Sequence, residues 1–214
     1  MSDRLIIRIF ILFFAVGVLL HLVPALTIIP LHITDAFLLA ANAVVLVLLL
    51  KINATGRFLI FFISSYLLTF AAEAAGVSTG EVFGAYRYGD TMKLQWLEVP
   101  LIIPFNWVIL VLGMTSVFTA LRIPRVILPL LAAGGLVLFD FIMEPVAVQL
   151  DYWTWEGGNI PLQNYLAWFI IAWIVSSAAV FLKIKLDSKP LRAYVFIQLG
   201  FFLILNVFFR YTGG

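Results

Sequence analysis

Seven stretches of this sequence stay apolar for the length of a membrane crossing: residues 5–23, 33–50, 57–75, 99–121, 126–147, 165–183 and 191–209. A hydrocarbon layer about 30 Å thick takes roughly 20 helical residues to span. Lipid offers an open backbone no hydrogen-bond partner, so each stretch that crosses must do so as a helix. Seven crossings use most of the 214 residues and leave only short loops. The expectation is an all-α integral membrane protein, a single polytopic domain over 1–214. Composition agrees: 64% of residues are hydrophobic and 11% are charged, where a soluble domain carries about a quarter charged. The first stretch, with Arg4 and Arg8 ahead of Ile9–Leu20, has the outline of a signal peptide. No A-x-A-like cleavage site follows, so it is read as a helix.

An odd number of crossings puts the two termini on opposite faces, and the charges then sort. Arg4, Arg8, Lys51, Arg57, Arg122, Arg125, Lys183, Lys185, Lys189 and Arg192 fall on one face; Arg87, Lys93 and Arg210 fall on the other. Positive residues are retained in the cytoplasm, which predicts a multi-pass inner-membrane protein with its N-terminus cytoplasmic and its C-terminus outside. The acids take the opposite side. Only Asp3 and Asp187 lie on the cation-rich face, whereas Asp35, Glu73, Glu81, Asp90, Glu98, Asp140, Glu144, Asp151 and Glu156 lie at or near the outer one. Tyr86, Tyr88, Trp96, Trp107, Tyr152, Trp153 and Trp155 gather there as well. A site carried by this chain opens on that side.

Several chemistries are excluded. Cysteine is absent, which removes thiolate metal sites, disulfides and cysteine nucleophiles. His21 and His32 are too few for a histidine-rich di-iron centre and have no ligand spacing, so neither a metal nor another cofactor is expected. Gly76-Val77-Ser78-Thr79-Gly80 lacks the spacing of a dinucleotide loop and has no strand before it. Asn53-Ala54-Thr55 matches a glycosylation acceptor by chance, on the predicted cytoplasmic face. No nucleic-acid partner is expected.

Two stretches share one grammar. Glu73, the loop Phe83-Gly84-Ala85-Tyr86-Arg87-Tyr88-Gly89 and Pro104-Phe105-Asn106-Trp107 form the first. Asp140, Glu144, the loop Tyr152-Trp153-Thr154-Trp155 and Pro161-Leu162-Gln163-Asn164-Tyr165 form the second. Each is an outward helix ending in acid, an aromatic loop and an inward helix entered through Pro and Asn, the arrangement of a parallel internal repeat. Interfacial Trp and Tyr of any polytopic protein are the competing explanation.

Acids inside a membrane cost a few kcal/mol on insertion scales, so each needs a reason. Glu73 lies about 24 Å along its helix from Arg57 at 1.5 Å per residue. Asp140 and Glu144 stand four positions apart and share a helix face. A carboxyl group out of water tends to keep its proton, which makes it a usable Brønsted acid. Structural alternatives stand beside this: a Glu73–Arg87 pair across the loop, Glu144 as a helix-end residue in headgroups before Pro145, and Asp35 as a cap near the start of the second helix. Acids beside π faces, which stabilise cations, suit protonation of an apolar alkene and shelter of the carbocation. Capture by water is hydration; capture by an internal double bond is cyclisation.

The run Glu73-Ala-Ala-Gly76, Gly80, Phe83-Gly84, Tyr86-x-Tyr88, then Val99-Pro100 with Trp107, then Asp140 with Pro145, Trp153-x-Trp155, Pro161, Asn164 and Trp168 resembles the membrane-bound carotenoid hydratases of bacteria and archaea. The resemblance covers residues 70–170. It implies water addition to the terminal double bond of an acyclic carotenoid end of the lycopene or γ-carotene type, giving a tertiary alcohol without a redox cofactor. Departures are Glu98 before Val99-Pro100, Ile160 before Pro161, and Ala167 before Trp168, each larger than the expected glycine or differing from a Gly-Val pair.

The roles expected are these. Asp140 or Glu144 delivers the proton, Glu73 positions or deprotonates the water, and Tyr86, Tyr88, Trp107, Trp153 and Trp155 flank the substrate. Asn106 and Asn164 hold the water or cap their helices. The partners implied are a carotenoid taken from the bilayer, membrane lipids, and other carotenoid-biosynthesis enzymes. The rival readings are an end-group cyclase, a proton-coupled transporter, and a non-catalytic pigment partner.

Overall fold

A computed structural model of the chain describes residues 2–54 and 56–212, so Thr55 of the acceptor triplet lies outside it. Seven helices form: α1 (Asp3–Leu22), α2 (Pro30–Ile52), α3 (Gly56–Thr79), α4 (Ile102–Ala120), α5 (Leu128–Gln149), α6 (Leu162–Phe181) and α7 (Lys189–Thr212). All seven are long and apolar enough to cross a bilayer, so the chain is an all-α, multi-pass membrane bundle. Each contains most of its expected span. α3 runs on past residue 75 to Thr79, which seats Glu73 within the helix rather than near its end. Four strands of two or three residues lie in the loops and were not expected: β1 (Tyr86–Tyr88), β2 (Gln95–Trp96), β3 (Val99–Pro100) and β4 (Trp153–Trp155). β2 and β3 make a tight hairpin whose turn residues Leu97 and Glu98 both have positive φ, 51° and 61°. Glu98, the departure noted in the sequence, thus occupies a backbone conformation that suits glycine.

α4 is the axial helix, buried along nearly its whole length and packed against α2, α3, α5, α6 and α7. Lipid supplies no hydrophobic drive between helices, so close packing and interhelical hydrogen bonds hold them. At Gly113 an added Cβ would stand 2.2 Å from Val195 Cγ2; only glycine lets α7 come so near. Tyr194 Oη donates to Asn42 Oδ1 at 2.8 Å and Asn206 Nδ2 to the Ile142 carbonyl at 3.0 Å. Such bonds average about 0.6 kcal/mol each in membranes.

α3–α4 and α5–α6 have matched positions, in keeping with the repeat expected from the sequence. Thr69 and Glu73 on α3 have the spacing of Asp140 and Glu144 on α5; Trp107 and Thr115 on α4 with Leu121, Arg122 and Ile123 just after it have that of Trp168 and Ser176 on α6 with Leu182, Lys183 and Ile184 just after it. Matched residues meet across the axis between the two pairs. The Trp107 and Trp168 rings stack with centroids 3.9 Å apart, and Thr115 Oγ1 and Ser176 Oγ hydrogen-bond at 2.9 Å. Both α4 and α6 end alike: Arg122 and Lys183 take positive φ, and the Ile123 and Ile184 N–H groups return to the Phe118 and Ala179 carbonyls. That is the left-handed helix stop. The cation-rich half also has buried polar side chains. Thr115, Ser116 and Ser176 are buried in it, with Ser116 donating to the Leu186 carbonyl.

The loops carry the other end. β1 pairs antiparallel with β4, Tyr86 opposite Trp155 and Tyr88 opposite Trp153. Gly84 brings them together: its φ is +102°, and a Cβ there would lie 2.4 Å from Pro161 Cγ. Gly84→Ala is expected to destabilise the protein by about 1–3 kcal/mol, read as a lowered unfolding temperature in detergent. Asp35 corrects an expectation. It lies in the second turn of α2 and accepts from the backbone N–H groups of Lys93 (2.6 Å) and Leu94 (3.4 Å), so it anchors a loop rather than capping its helix. Asn53 is buried and clamps the α6–α7 connection, donating to the Lys185 carbonyl and accepting from the Lys185 N–H, both at 2.8 Å.

Candidate active site

Successive side chains of a strand point to opposite faces, so Tyr-x-Tyr and Trp-x-Trp each aim two rings the same way. In the β1–β4 ribbon Tyr86, Trp153 and Trp155 are buried while Arg87 and Thr154 are exposed. Below this ribbon stand the C-terminal halves of α3 and α5. Glu73 Oε2 accepts from both phenols, Tyr86 Oη and Tyr88 Oη, the latter at 2.7 Å. Glu144 Oε2 accepts from both indoles, Trp153 Nε1 at 3.0 Å and Trp155 Nε1 at 2.9 Å. Each half of the repeat thus grips one glutamate with two aromatic donors from its own loop. The alternatives of a Glu73–Arg87 pair and of Glu144 in headgroups do not hold: Glu144 is 1% exposed and Glu73 3%.

The two halves differ where the chamber is most polar. Where the first half has Thr69 and Ile103, the second has Asp140 and Asn164. Asn164 Nδ2 donates to Asp140 Oδ2 at 2.9 Å and to Glu144 Oε1 at 3.3 Å. Asp140 is fully buried, and its Oδ1 has no hydrogen-bond partner among the described residues. A buried oxygen left unpaired costs about 1–3 kcal/mol; Asp35 Oδ1 and Asn42 Nδ2 are unpaired as well, but of the three only Asp140 lines the space shared with Glu73 and Glu144.

Glu73, Asp140, Glu144 and Asn164 line one chamber with Phe83, Tyr86, Tyr88, Ile103, Trp107, Trp153, Trp155 and Trp168. Its free volume is about 20 Å³, above the roughly 10–15 Å³ that a water molecule needs. Aromatic rings wall it in. Besides the Trp107–Trp168 stack, Phe83 lies on Trp168 at 5.0 Å and Tyr86 against Trp155 at 5.0 Å. No lysine, arginine or histidine lines it. Phe83, Ile103 and Trp168 were not among the expected site residues; the Phe83-Gly84 and Asn164…Trp168 pairings were the sequence signal for two of them, and Ile103 had none.

Asn106 lies elsewhere. It exchanges hydrogen bonds with Gln198 of α7 (Gln198 Nε2 to Asn106 Oδ1, 3.1 Å) and lines a separate apolar groove of about 270 Å³ between α1, α2, α4, α5 and α7. Ile103, Trp107 and Trp153 belong to both groove and chamber. His21 and His32 each bond the carbonyl one turn back on their own helices, Gly17 at 2.7 Å and Ile28 at 2.9 Å. Among the described residues no group of three or more histidine, aspartate or glutamate side chains is placed so that it could hold a metal ion.

The loop phenols bear on pH. Burial, reinforced by the Glu73 carboxyl, pushes Tyr86 and Tyr88 well above the ordinary tyrosine range. Both therefore remain donors to Glu73 through the neutral range. An unfolded tyrosine loses its proton near pH 10, so above that pH the unfolded state binds fewer protons than the native one. Stability should then fall as pH rises past about 10. Unfolding midpoints across that range check this, and Tyr86→Phe with Tyr88→Phe should flatten the alkaline decline.

A family model described as "Carotenoid biosynthesis protein" matches residues 33–212. A curated relative, bisanhydrobacterioruberin hydratase of Haloarcula japonica, is 26% identical over 140 residues, which cover 59% of this chain and 45% of the relative. The chain thus matches less than half the length of that relative. No solved structure matches it.

Proposed function

We propose, from the premise that the chain belongs to the carotenoid biosynthesis protein family, that it is a hydratase acting on the terminal double bond of an acyclic carotenoid end. The observation that carries this is Asp140, buried with one free oxygen in a water-sized chamber of carboxyl groups and aromatic rings. The similarity to an archaeal hydratase supports it.

Hydrogen-bond accounting divides the roles. An ionised carboxylate only accepts. Glu144 uses both oxygens to accept, from two indoles and Asn164, which suits a fixed carboxylate that stabilises positive charge. Asp140, held through Oδ2, presents Oδ1 as the proton carrier. The proton on Asp140 adds to the less substituted alkene carbon, and the π pair forms the new C–H bond. The tertiary cation is sheltered by Trp107, Trp153 and Trp155, whose π faces favour cations. Water in the chamber donates a lone pair to the cation, and Glu73, through the oxygen not occupied by Tyr86 and Tyr88, takes its proton. Transfer of that proton back to Asp140 closes the cycle. The sum is alkene plus water to tertiary alcohol, with no change of oxidation state overall and no redox cofactor required. The chamber then faces the outer side of the inner membrane, with the cation-rich helix ends and the N-terminus in the cytoplasm.

Trp153→Phe with Trp155→Phe is expected to lower turnover roughly tenfold to a hundredfold, since Glu144 loses two buried donors worth about 1–3 kcal/mol together. Turnover in reconstituted vesicles measures it. Expression in cells that accumulate lycopene tests the whole reading. Extracted pigments heavier by one water per reacted end support it; a new pigment of unchanged mass makes the protein a cyclase, and unaltered pigment held by the protein makes it a binding partner.

A further inference from the structure

Resting on the hydration reading, we propose that the polyene reaches the chamber end first, from the bilayer, through the apolar groove between α1, α2 and α7, and that Ile103 is the threshold that selects which end groups reach Asp140.

The chamber is closed on most sides by groups that are already bonded. The ribbon of Tyr86, Tyr88, Trp153 and Trp155 covers it, and the donors of that ribbon all point at Glu73 and Glu144. Two stretches of its wall make no polar contact, Phe83 with Trp168 and Ile103 with Trp107; only the second is shared with the groove, where the same two residues, with Trp153, form the inner end. The groove is lined almost wholly by carbon. Thr34, His21 and Asn106 among its polar members make bonds within the protein: Thr34 to the Pro30 carbonyl, His21 to the Gly17 carbonyl, and Asn106 with Gln198. It suits a chain with nothing to hydrogen-bond.

Its mouth faces lipid rather than water. Phe13 and Val16 of α1 and Ile33 of α2, all groove residues, are 54%, 43% and 44% exposed, on helices that cross the membrane. A volume of about 270 Å³ falls below the roughly 300–1,000 Å³ of sites that enclose a drug-sized ligand. The groove therefore takes the end of a long polyene while the remainder stays among the acyl chains. The repeat adds an independent argument. Ile103 stands where the second half has Asn164, so the chamber is polar on the Asp140 side and apolar on the facing one. An alkene crossing Ile103 meets Asp140 from the apolar side and leaves the polar side to water.

Steady-state hydration and pigment retention test this, measured on the full-length protein in vesicles loaded with lycopene. Gly17→Phe fills the groove near its mouth; a Cβ at Gly17 meets Phe201 Cε2 at 3.4 Å, an ordinary contact. Ile103→Trp fills the threshold. Ile60→Trp, at a position 69% exposed on α3 and remote from the groove lining, is the control. Both groove variants should lose roughly tenfold or more in kcat/KM and retain less pigment, with the control unchanged; differences of this size follow from one or two carbons in an apolar pocket. Ile103→Ala should raise the relative rate on a lycopene analogue whose terminal methyls are ethyls. Unchanged kcat/KM in Gly17→Phe, which decides the matter if Ile103→Trp does not fold, overturns the groove and leaves hydration standing. Pigment retained by the wild type and lost from the variants, with no hydrated product from any of them, keeps the groove and removes hydration.

Discussion

Asp140→Asn is expected to lower hydration by roughly a thousandfold, within the 10²–10⁴ that general acid catalysis commonly contributes. The change is nearly isosteric, and its amide oxygen can still accept from Asn164 in place of Asp140 Oδ2. What disappears is the oxygen that carries the proton, since Oδ1 becomes an NH₂ group that cannot deliver one to an alkene. Expression, unfolding temperature and pigment retention should stay near wild type. Product formed per mole of protein in vesicles measures the effect. Activity within a few-fold of wild type would remove Asp140 as the acid and shift the role to Glu144.

The second large effect is expected at Glu144. Glu144→Gln keeps one oxygen for the two indoles, but its NH₂ then faces Asn164 Nδ2, donor against donor. If Asn164 flips to accept, its other bond, to Asp140 Oδ2, is lost. One substitution therefore disorders the acid as well as its neighbour and removes a charge that faces the cation. We expect a loss of about a hundredfold in kcat with a smaller change in KM. Because the damage runs through Asn164, adding Asn164→Ala to Glu144→Gln should cost little more; residues of one hydrogen-bond network are non-additive. Full additivity would mean that Asn164 and Glu144 act separately.

Much of the bundle was legible because lipid reduces the problem to length and hydropathy: a stretch of that size must be helical. The ends were less so. α3 outruns its apolar stretch because Ser78 and Thr79 bond the Ala75 carbonyl within the last turn. The period-2 spacing of Tyr86-x-Tyr88 and Trp153-x-Trp155 was visible, but three-residue strands have no signal of their own, and nothing local states that these two pair with each other. The three acids were singled out by their cost in a membrane, and they share one chamber. Asn106 and Asn164 looked equivalent because each follows a proline in a similar run. The stacked Trp107 and Trp168 fix a different register, in which Asn164 matches Ile103 and Asn106 matches Ala167. Spacing from proline misled because the two inward helices begin at different distances from their tryptophans. Gln198, a lone amide between Ile197 and Leu199, was the unread sign that α7 has a polar contact to make.

In hydration by this route a proton from Asp140 becomes a carbon-bound hydrogen of the product. Turnover of lycopene in vesicles suspended in deuterated water, with the product's carbon-bound deuterium located by mass spectrometry, measures this directly. One deuterium is expected on the carbon next to each new tertiary alcohol, and no labelled product from Asp140→Asn. A hydroxylated product with no carbon-bound deuterium would contradict this route, because the oxygen would then have arrived without protonation of the alkene.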